Sequence, residues 1–406
     1  MTRFICDLAW THLSVRPHGQ CSVCCVADHS ISASRAITDG KVLSLNVVKI
    51  ADIVNSDSFS DVRRKMLDGE VPAPCRGCKK VEDAGGISKR LREGNQKLLD
   101  YDSMTDEKGK IEVDLHSAEL QLGNLCNLKC RSCNAESSTS WISDFHVLKK
   151  IIRLPSGYDA ILSDPEASSD WSDSDAFFTD LVDSAKSLKE IHMSGGEPFL
   201  VPKHMNIIDS LIKLGRTDVN IHYNSNLNYN FDRLVPLLHK LTKFRCCSLS
   251  LSIDDVDKRN AYIRTLSDWD LTISNLKRFL TEFPSLRYNV TQTISAYNFL
   301  YVEELYQFLV ANDCLPHDGI LLNFVQQPNY LDPLVLPLEV RQKKLDSLYG
   351  KMPEEMINLL KGRYYYSESN GCLDYFKKVC TEVDRLRGEK LTDNFATLAE
   401  VIGWNS

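Results

Sequence analysis

Between about residue 113 and residue 326, six short strand-like segments recur, separated by helix-length amphipathic stretches. The segments are Ala118–Leu122, Glu190–Ser194, Val219–Asn224, Ser248–Ile253, Tyr288–Thr293 and Gly319–Phe324. One intervening stretch shows the helical period plainly. In Pro202–Leu214, the residues Ile207, Ile208, Leu211, Ile212 and Leu214 repeat on one face, and Gly215 stops the run. Such alternation implies a parallel sheet with right-handed crossovers. The expected class is α/β: a partial (β/α)6 TIM-like barrel, with a doubly wound sheet as the other arrangement of the same units. Both place reactive groups on loops beyond the carboxyl ends of the strands.

Two of those loops carry chemistry. After the first strand comes Leu125-Cys126-Asn127-Leu128-Lys129-Cys130-Arg131-Ser132-Cys133, a CxxxCxxC spacing. Three thiolates on one tight loop can hold three irons of a cubane cluster. No fourth cysteine is close in sequence, so one iron stays open to a small molecule. Zinc would need a fourth ligand. At the end of the second strand lies Met193-Ser194-Gly195-Gly196-Glu197-Pro198. Its paired glycines let the backbone approach a ligand without interference from Cβ.

Residues 1 to about 110 break the alternation and hold six cysteines. Cys6–Val15 is expected as a strand, Arg16–Gln20 as its turn and Cys21–Cys25 as the return strand. Asp61–Gly69 is expected as a short helix closed by Gly69. Apolar residues are too few here for a self-sufficient core, and a metal site is a common remedy. The pair Cys75 and Cys78 has strong ligand spacing, and Cys6 and Cys24 can complete a set of four. Spacing alone leaves Cys21 and Cys25 beside Cys24 as candidates. Zinc and a [4Fe-4S] cluster both accept four thiolates.

The first amino acids, Met1-Thr2-Arg3-Phe4, lack a signal-peptide pattern, and no run of about 18 apolar residues suggests a membrane span. The expected location is the cytoplasm. Its reducing conditions favour clustered cysteines as metal ligands over disulfides. The scattered Cys246, Cys247, Cys314, Cys372 and Cys380 read as small buried hydrophobes. A net charge of -7 argues against a general electrostatic grip on nucleic acid. The basic run Lys79–Lys97 is the one feature leaning the other way, and a solvated helix face explains it as well. The acidic, Ser-rich segment Ser163–Asp175 is expected as a solvated insertion. Residues 327–406 start with an extended connection and end in amphipathic helices such as Tyr375–Leu386, expected to pack on the barrel.

The cysteine loop and Gly195-Gly196-Glu197-Pro198, in this order and at this distance, resemble the radical S-adenosylmethionine (SAM) superfamily. The resemblance implies that Cys126, Cys130 and Cys133 hold a [4Fe-4S] cluster whose fourth iron is chelated by SAM. It implies that the glycine motif contacts the SAM amino group. Less specific matches continue it: Asn224, Ser225 and Asn226, and then Ser252 and Asp254, at strand ends that face the SAM ribose or substrate. Arg264 fits the family's arginine that pairs with the SAM carboxylate, and Gln292 and Asn298 are weaker candidates. Asn226 departs from the family's glycine at that turn. The N-terminal cysteines resemble the SPASM/Twitch auxiliary-cluster module, which usually follows the core and here precedes it. That match implies an auxiliary [4Fe-4S] cluster on Cys6, Cys24, Cys75 and Cys78, with zinc as the alternative.

The resemblance implies an enzyme that cleaves SAM reductively to methionine and a 5′-deoxyadenosyl radical, which abstracts hydrogen from a substrate. A flavodoxin- or ferredoxin-type protein would supply the electron. SPASM/Twitch enzymes often act on peptides or proteins, which makes those the expected substrate. A small molecule or nucleotide-derived substrate is the alternative, and a non-catalytic iron–sulfur or zinc module is the second. The expected division is 1–110 for the auxiliary-cluster domain, 111–326 for the barrel and 327–406 for the helical extension.

Overall fold

A computed structural model of the chain describes residues 3–28, 31–83, 85–93, 99–152, 170–173, 175–184, 186–201, 204–316, 319–325 and 327–404. Most of the acidic segment 163–175, the first residues of the 202–214 helix, and Lys97 lie outside them. Two compact units emerge. The first comprises Met1–Leu125, Glu166–Tyr223 and His239–Cys247; the second comprises Cys126–Pro165, Asn224–Leu238 and Ser248–Ser406. Eight of the ten described strands belong to a largely parallel sheet that stays open. All six strands expected from the alternation form, each end within one residue of its expected place. No described helix is long and apolar enough to cross a membrane.

In the first unit, β1 (His12–Val15) pairs with β2 (Cys21–Ser22) antiparallel across a turn in which the Arg16 N–H donates to the Gln20 carbonyl and Gly19 takes φ +75°. The antiparallel β3 (Ile37–Thr38) and β4 (Lys41–Val42) form a separate pair. β1 also pairs in parallel with β5 (Ser117–Gln121), β5 with β6 (Glu190–Ser194), and β6 with β7 (Asn220–Ser225). The N-terminal region thus contributes a strand to the main sheet. Side chains alternate across these strands. Ala118, Leu120, Ile191, Met193, Ile221 and Tyr223 are buried on one face, while Ser117, Glu119, Glu190, His192, Asn220 and His222 occupy the other.

Three expectations change in this unit: the return strand expected over Cys21–Cys25 is confined to Cys21–Ser22, and two further readings differ. Cys6–Val15 is not one strand, because Leu8–Thr11 is a helical turn that leads into β1. The Asp7 carbonyl accepts from the Trp10 and Thr11 N–H groups and from the Thr11 hydroxyl, and the turn buries Trp10. Within the acidic segment, Trp171 and Ser172 are buried and not solvated, while Asp175 is exposed. Trp171 is 1% exposed, its indole N–H donates to the Pro17 carbonyl at 2.9 Å, and its ring lies against Gly19, where a Cβ would stand 2.9 Å from it.

The helix Asp57–Leu67 closes before Gly69 (φ +81°), as the sequence implies. It buries Arg63, whose guanidinium donates to the carbonyls of Gly109 (2.7 Å), Ala9 (3.0 Å) and Val54 (2.9 Å). One cation therefore stitches three separate backbone segments that would otherwise bury unpaired acceptors.

In the second unit, β8 (Cys247–Ser252), β9 (Arg287–Ile294) and β10 (Ile320–Phe324) follow in parallel order. The helix Leu373–Arg387 ends at Gly388 in left-handed conformation (φ +67°). Its Phe376 meets Tyr297 at 5.2 Å between ring centroids, and Tyr262 meets Tyr297 and Phe395 at 5.6 and 5.4 Å. The C-terminal helices are thus built into the core of this unit.

Burial pushes His204 down to about 4, against the contact of its Nδ1 with the Val201 carbonyl. The unfolded chain binds this proton near pH 6.5, so the folded state excludes it. The sign follows: the stabilisation is full above about pH 6.5 and is lost as pH falls toward 4. The variant His204→Gln should therefore show a drop in unfolding free energy between pH 7 and pH 4 that is shallower by roughly 3 kcal/mol, measured by urea unfolding at both pH values.

Candidate functional site

The cysteine loop opens the second unit. Its backbone is tied on several sides: the Lys129 and Arg131 N–H groups donate to the carbonyls of Thr265 (3.1 Å) and Ile263 (2.7 Å). The Ser140 hydroxyl donates to the Cys126 carbonyl at 2.8 Å, and the Trp141 indole N–H to the Cys130 carbonyl at 2.7 Å. All three cysteines are half-buried. Burial pushes the Cys133 thiol up to about 12, with Cys130 and Cys126 adding to the rise. Burial also raises Cys130, opposed by the Arg264 and Arg387 guanidiniums. The Leu128 N–H lies 3.5 Å and the Asn226 amide nitrogen 3.9 Å from the Cys126 sulfur.

This donor set fits an anionic iron–sulfur cluster. Crowded thiols become thiolates only when cations compensate them, and N–H donors and guanidiniums around sulfur stabilise the resulting charge. Among the described residues, no three His, Cys, Asp or Glu side chains are already drawn into a metal-holding group, here or elsewhere.

Arg131 is the residue that sequence reasoning passed over. It sits between the second and third cysteines and is 3% exposed. Its guanidinium pairs with Asp384 and Glu389, donates to the Tyr262 carbonyl at 3.0 Å, and stacks over the Tyr262 ring at 3.6 Å. Arg387 joins from the same helix: it pairs with Asp144 at 2.7 Å, donates to the Thr265 hydroxyl at 2.9 Å, and lies 4.5 Å above the Trp141 ring. Lys129 shares Asp144 at 3.1 Å. The C-terminal extension thus clamps the cysteine loop through buried ion pairs. A basic residue between two cysteines was the available signal, but its partners lie 253 and 258 residues away.

In the first unit, the glycine motif packs on the segment that leads into the cysteine loop. The Gly196 N–H donates to the Gly123 carbonyl at 2.9 Å and the Glu197 N–H to the Leu125 carbonyl at 2.8 Å. Gly195 takes φ +130°, and a Cβ there would stand 2.8 Å from the Gly123 oxygen. A Cβ on Gly196 would stand 2.3 Å from the Leu125 oxygen. Both glycines are therefore required by sterics before any ligand is considered. Glu197 is buried and its carboxylate accepts from the Phe199 N–H at 3.4 Å; Pro198 is buried and starts a short 3-10 turn.

The remaining candidates sit at strand ends in the second unit. Asn224 and Ser225 end β7. The Asn226 amide donates to the Asn127 side-chain oxygen at 2.8 Å, which ties this turn to the cysteine loop. Ser252 ends β8. Asp254 is fully buried and pairs with Arg264 at 3.0 Å while accepting from the Thr293 N–H at 2.9 Å. The Gln292 and Asn298 amides both donate to the Asp254 carbonyl, at 3.2 and 2.7 Å. Burial works against the charge on Arg264, and the Cys130 thiol and Asp254 overcome it, so the cation is held firmly beside the loop.

The N-terminal cysteines fall into two neighbourhoods of the first unit. Burial pushes Cys6 up to about 12, and Cys75 and Cys78 both add to that rise. Cys75 is likewise raised to about 12 by burial and then by Cys78. Cys24 hydrogen-bonds with Cys25 and raises it, while Cys21 is fully buried beside the Gly19 carbonyl.

Residues 6–79 match the SPASM iron–sulfur cluster-binding domain. The match spans Cys6, Cys21, Cys24, Cys25, Cys75 and Cys78. No curated protein matches the chain. Among solved structures it is similar to anSMEcpe with bound AdoMet, at 14% identity and a TM-score of 0.37, covering 68% of this chain and 62% of that one. It is also similar to Streptococcus suis SuiB bound to precursor peptide SuiA, at 12% identity and a TM-score of 0.33, covering 84% of this chain and 64% of that one. The chain thus spans less than two thirds of the length of either.

Removing one partner of a buried ion pair strands the others. Arg131→Met should lower the free energy of unfolding by about 3–5 kcal/mol, measured by urea denaturation of the metal-free protein.

Proposed function

We propose that this chain is a radical SAM enzyme that modifies a peptide or protein. The observation that carries the reading is the loop of Cys126, Cys130 and Cys133. Its three thiols crowd one another among guanidiniums and N–H donors, on a segment that contains no fourth cysteine. A [4Fe-4S] cluster held by Cys126, Cys130 and Cys133 would supply the one electron that cleaves SAM to methionine and the 5′-deoxyadenosyl radical. The protein's own residues hold and position. Gly195, Gly196, Glu197 and Pro198 offer backbone that a ligand amino group can approach. Arg264, fixed by Asp254, presents a cation of the sign a carboxylate needs. Asn224, Ser225, Asn226 and Ser252 are assigned to the ribose or substrate side.

Cys6, Cys24, Cys75 and Cys78 are assigned to an auxiliary [4Fe-4S] cluster. The iron–sulfur match over residues 6–79 supports iron over zinc. The same match supports a peptide or protein substrate, since modules of this kind often accompany such activity. The working division is 1–110, 111–326 and 327–406, the electron donor a flavodoxin or ferredoxin, and the location the cytoplasm.

In the reconstituted, reduced protein, Cys130→Ala should abolish 5′-deoxyadenosine formation measured by liquid chromatography; undiminished formation would overturn the assignment. Metal analysis of the reconstituted protein should find about eight irons per chain, four for each cubane. Iron near four with stoichiometric zinc would make the N-terminal site a zinc site.

A further inference from the structure

A cavity of ≈ 350 Å³ opens in the first unit at the amino-terminal ends of β1, β5, β6 and β7. None of the residues assigned above to iron or SAM lines it. Strand register explains its composition. His12 stands opposite Ser117, Ser117 opposite Glu190, and Glu190 opposite Asn220, while Glu119 stands opposite His192 one step along the same face. Residues two apart on a strand share a face, and neighbouring strands lie about 4.8 Å apart. The polar side of this sheet therefore gathers two histidines and a carboxylate in a small volume.

Two of these groups carry polar atoms without a hydrogen-bond partner among the described residues. His12 Nδ1 contacts the Ser117 hydroxyl at 2.8 Å, but its Nε2 is buried with no hydrogen-bond partner. Burial holds His12 down to about 4, against the pull of Glu119, so the ring is neutral at physiological pH. In the tautomer whose Nδ1–H donates to the Ser117 hydroxyl, Nε2 is a bare acceptor. Among the described residues Glu119 makes no hydrogen bond or ion pair, although it lies close enough to act on His12. Two other acids of the lining are engaged, and Glu190 is exposed. Asp7 accepts from the Tyr101 hydroxyl, Glu93 pairs with Lys89, and Glu190 lies 3.9 Å from His222. Lys89, the cation nearest the interior, is thereby taken, whereas Lys189 is exposed at the rim. A buried acceptor without a donor costs about 1–3 kcal/mol, and such groups call for an explanation.

We infer that this cavity binds an organic cation, the ammonium or guanidinium head of a lysine or arginine side chain in a peptide, with Glu119 taking the charge and His12 Nε2 accepting an N–H. Glu119 beside a neutral imidazole suits a cation with several N–H donors, because the cations of the lining are otherwise disposed: Lys89 and Arg92 pair with Glu93, and Lys189 is exposed at the rim. The inference does not depend on SAM chemistry, so its failure and the failure of the radical SAM reading are separately visible.

The test is isothermal titration of the full-length, iron-loaded protein with two capped tripeptides, acetyl-Gly-Lys-Gly-amide and its norleucine counterpart. The lysine peptide should bind saturably at one site. The norleucine peptide should bind at least about tenfold more weakly. Glu119→Gln should weaken the lysine peptide by a similar factor, and thermal melting should confirm that the variant is folded. If Glu119→Gln does not fold, His12→Gln serves in its place. Equal affinity for the two peptides, no saturable binding at millimolar concentration, or binding unchanged in a folded variant would each overturn the inference.

Discussion

The cysteine loop depends on one buried cation that is not a metal. Arg131 lies between Cys130 and Cys133, and its guanidinium is pinned by Asp384, Glu389 and the face of Tyr262. Loops of small polar residues with half-buried thiols have little apolar area to fold around, so their shape must come from elsewhere. Here it comes from the helix Leu373–Arg387, whose Arg387 also grips Asp144 and lies over Trp141. Because the indole of Trp141 in turn donates to the Cys130 carbonyl, the chain of contacts ends on the backbone of the second cysteine of the loop. The ion pairs are buried, so each member is costly to lose alone. The extension at residues 327–406, which carries no motif, is in this light a structural part of the site.

The positive charge has a second consequence. Arg264 and Arg387 both act on the Cys130 thiol, and Asn226 and the Leu128 amide approach Cys126. Groups of this kind around thiolate sulfur shift the driving force of an iron–sulfur centre, which spans a wide range with charge, burial and hydrogen bonding. The glycine motif serves by sterics. Gly195 and Gly196 leave no room for a Cβ against Gly123 and Leu125, so the turn can lie flat on the strand-to-loop segment.

Much of this was legible in the sequence. The six parallel strands were, because a period of two between glycine- and polar-rich stops is a local signal, and β6 formed at Glu190–Ser194 as read. The cysteine and glycine motifs were legible for the same local reason. What escaped was non-local. Nothing within Cys6–Val15 tells that its second half joins Ser117–Gln121 in the main sheet while its first half coils to bury Trp10. Trp171 looked like part of a solvated acidic loop because its neighbours are acidic, yet it packs on Gly19, more than 150 residues earlier. The surroundings of Arg131 and Glu119 carry no local signal, because only register and packing show that one is clamped and the other makes no hydrogen bond or ion pair among the described residues.

The central claim is that the three-cysteine loop carries a cluster with one iron open to SAM. Electron paramagnetic resonance of the reduced Cys75→Ala/Cys78→Ala double variant, with and without added SAM, tests it most directly, since the signal then comes from the loop alone. The account predicts a reduced-cluster spectrum whose g values shift when SAM is added. A cluster spectrum that SAM leaves unchanged would contradict it.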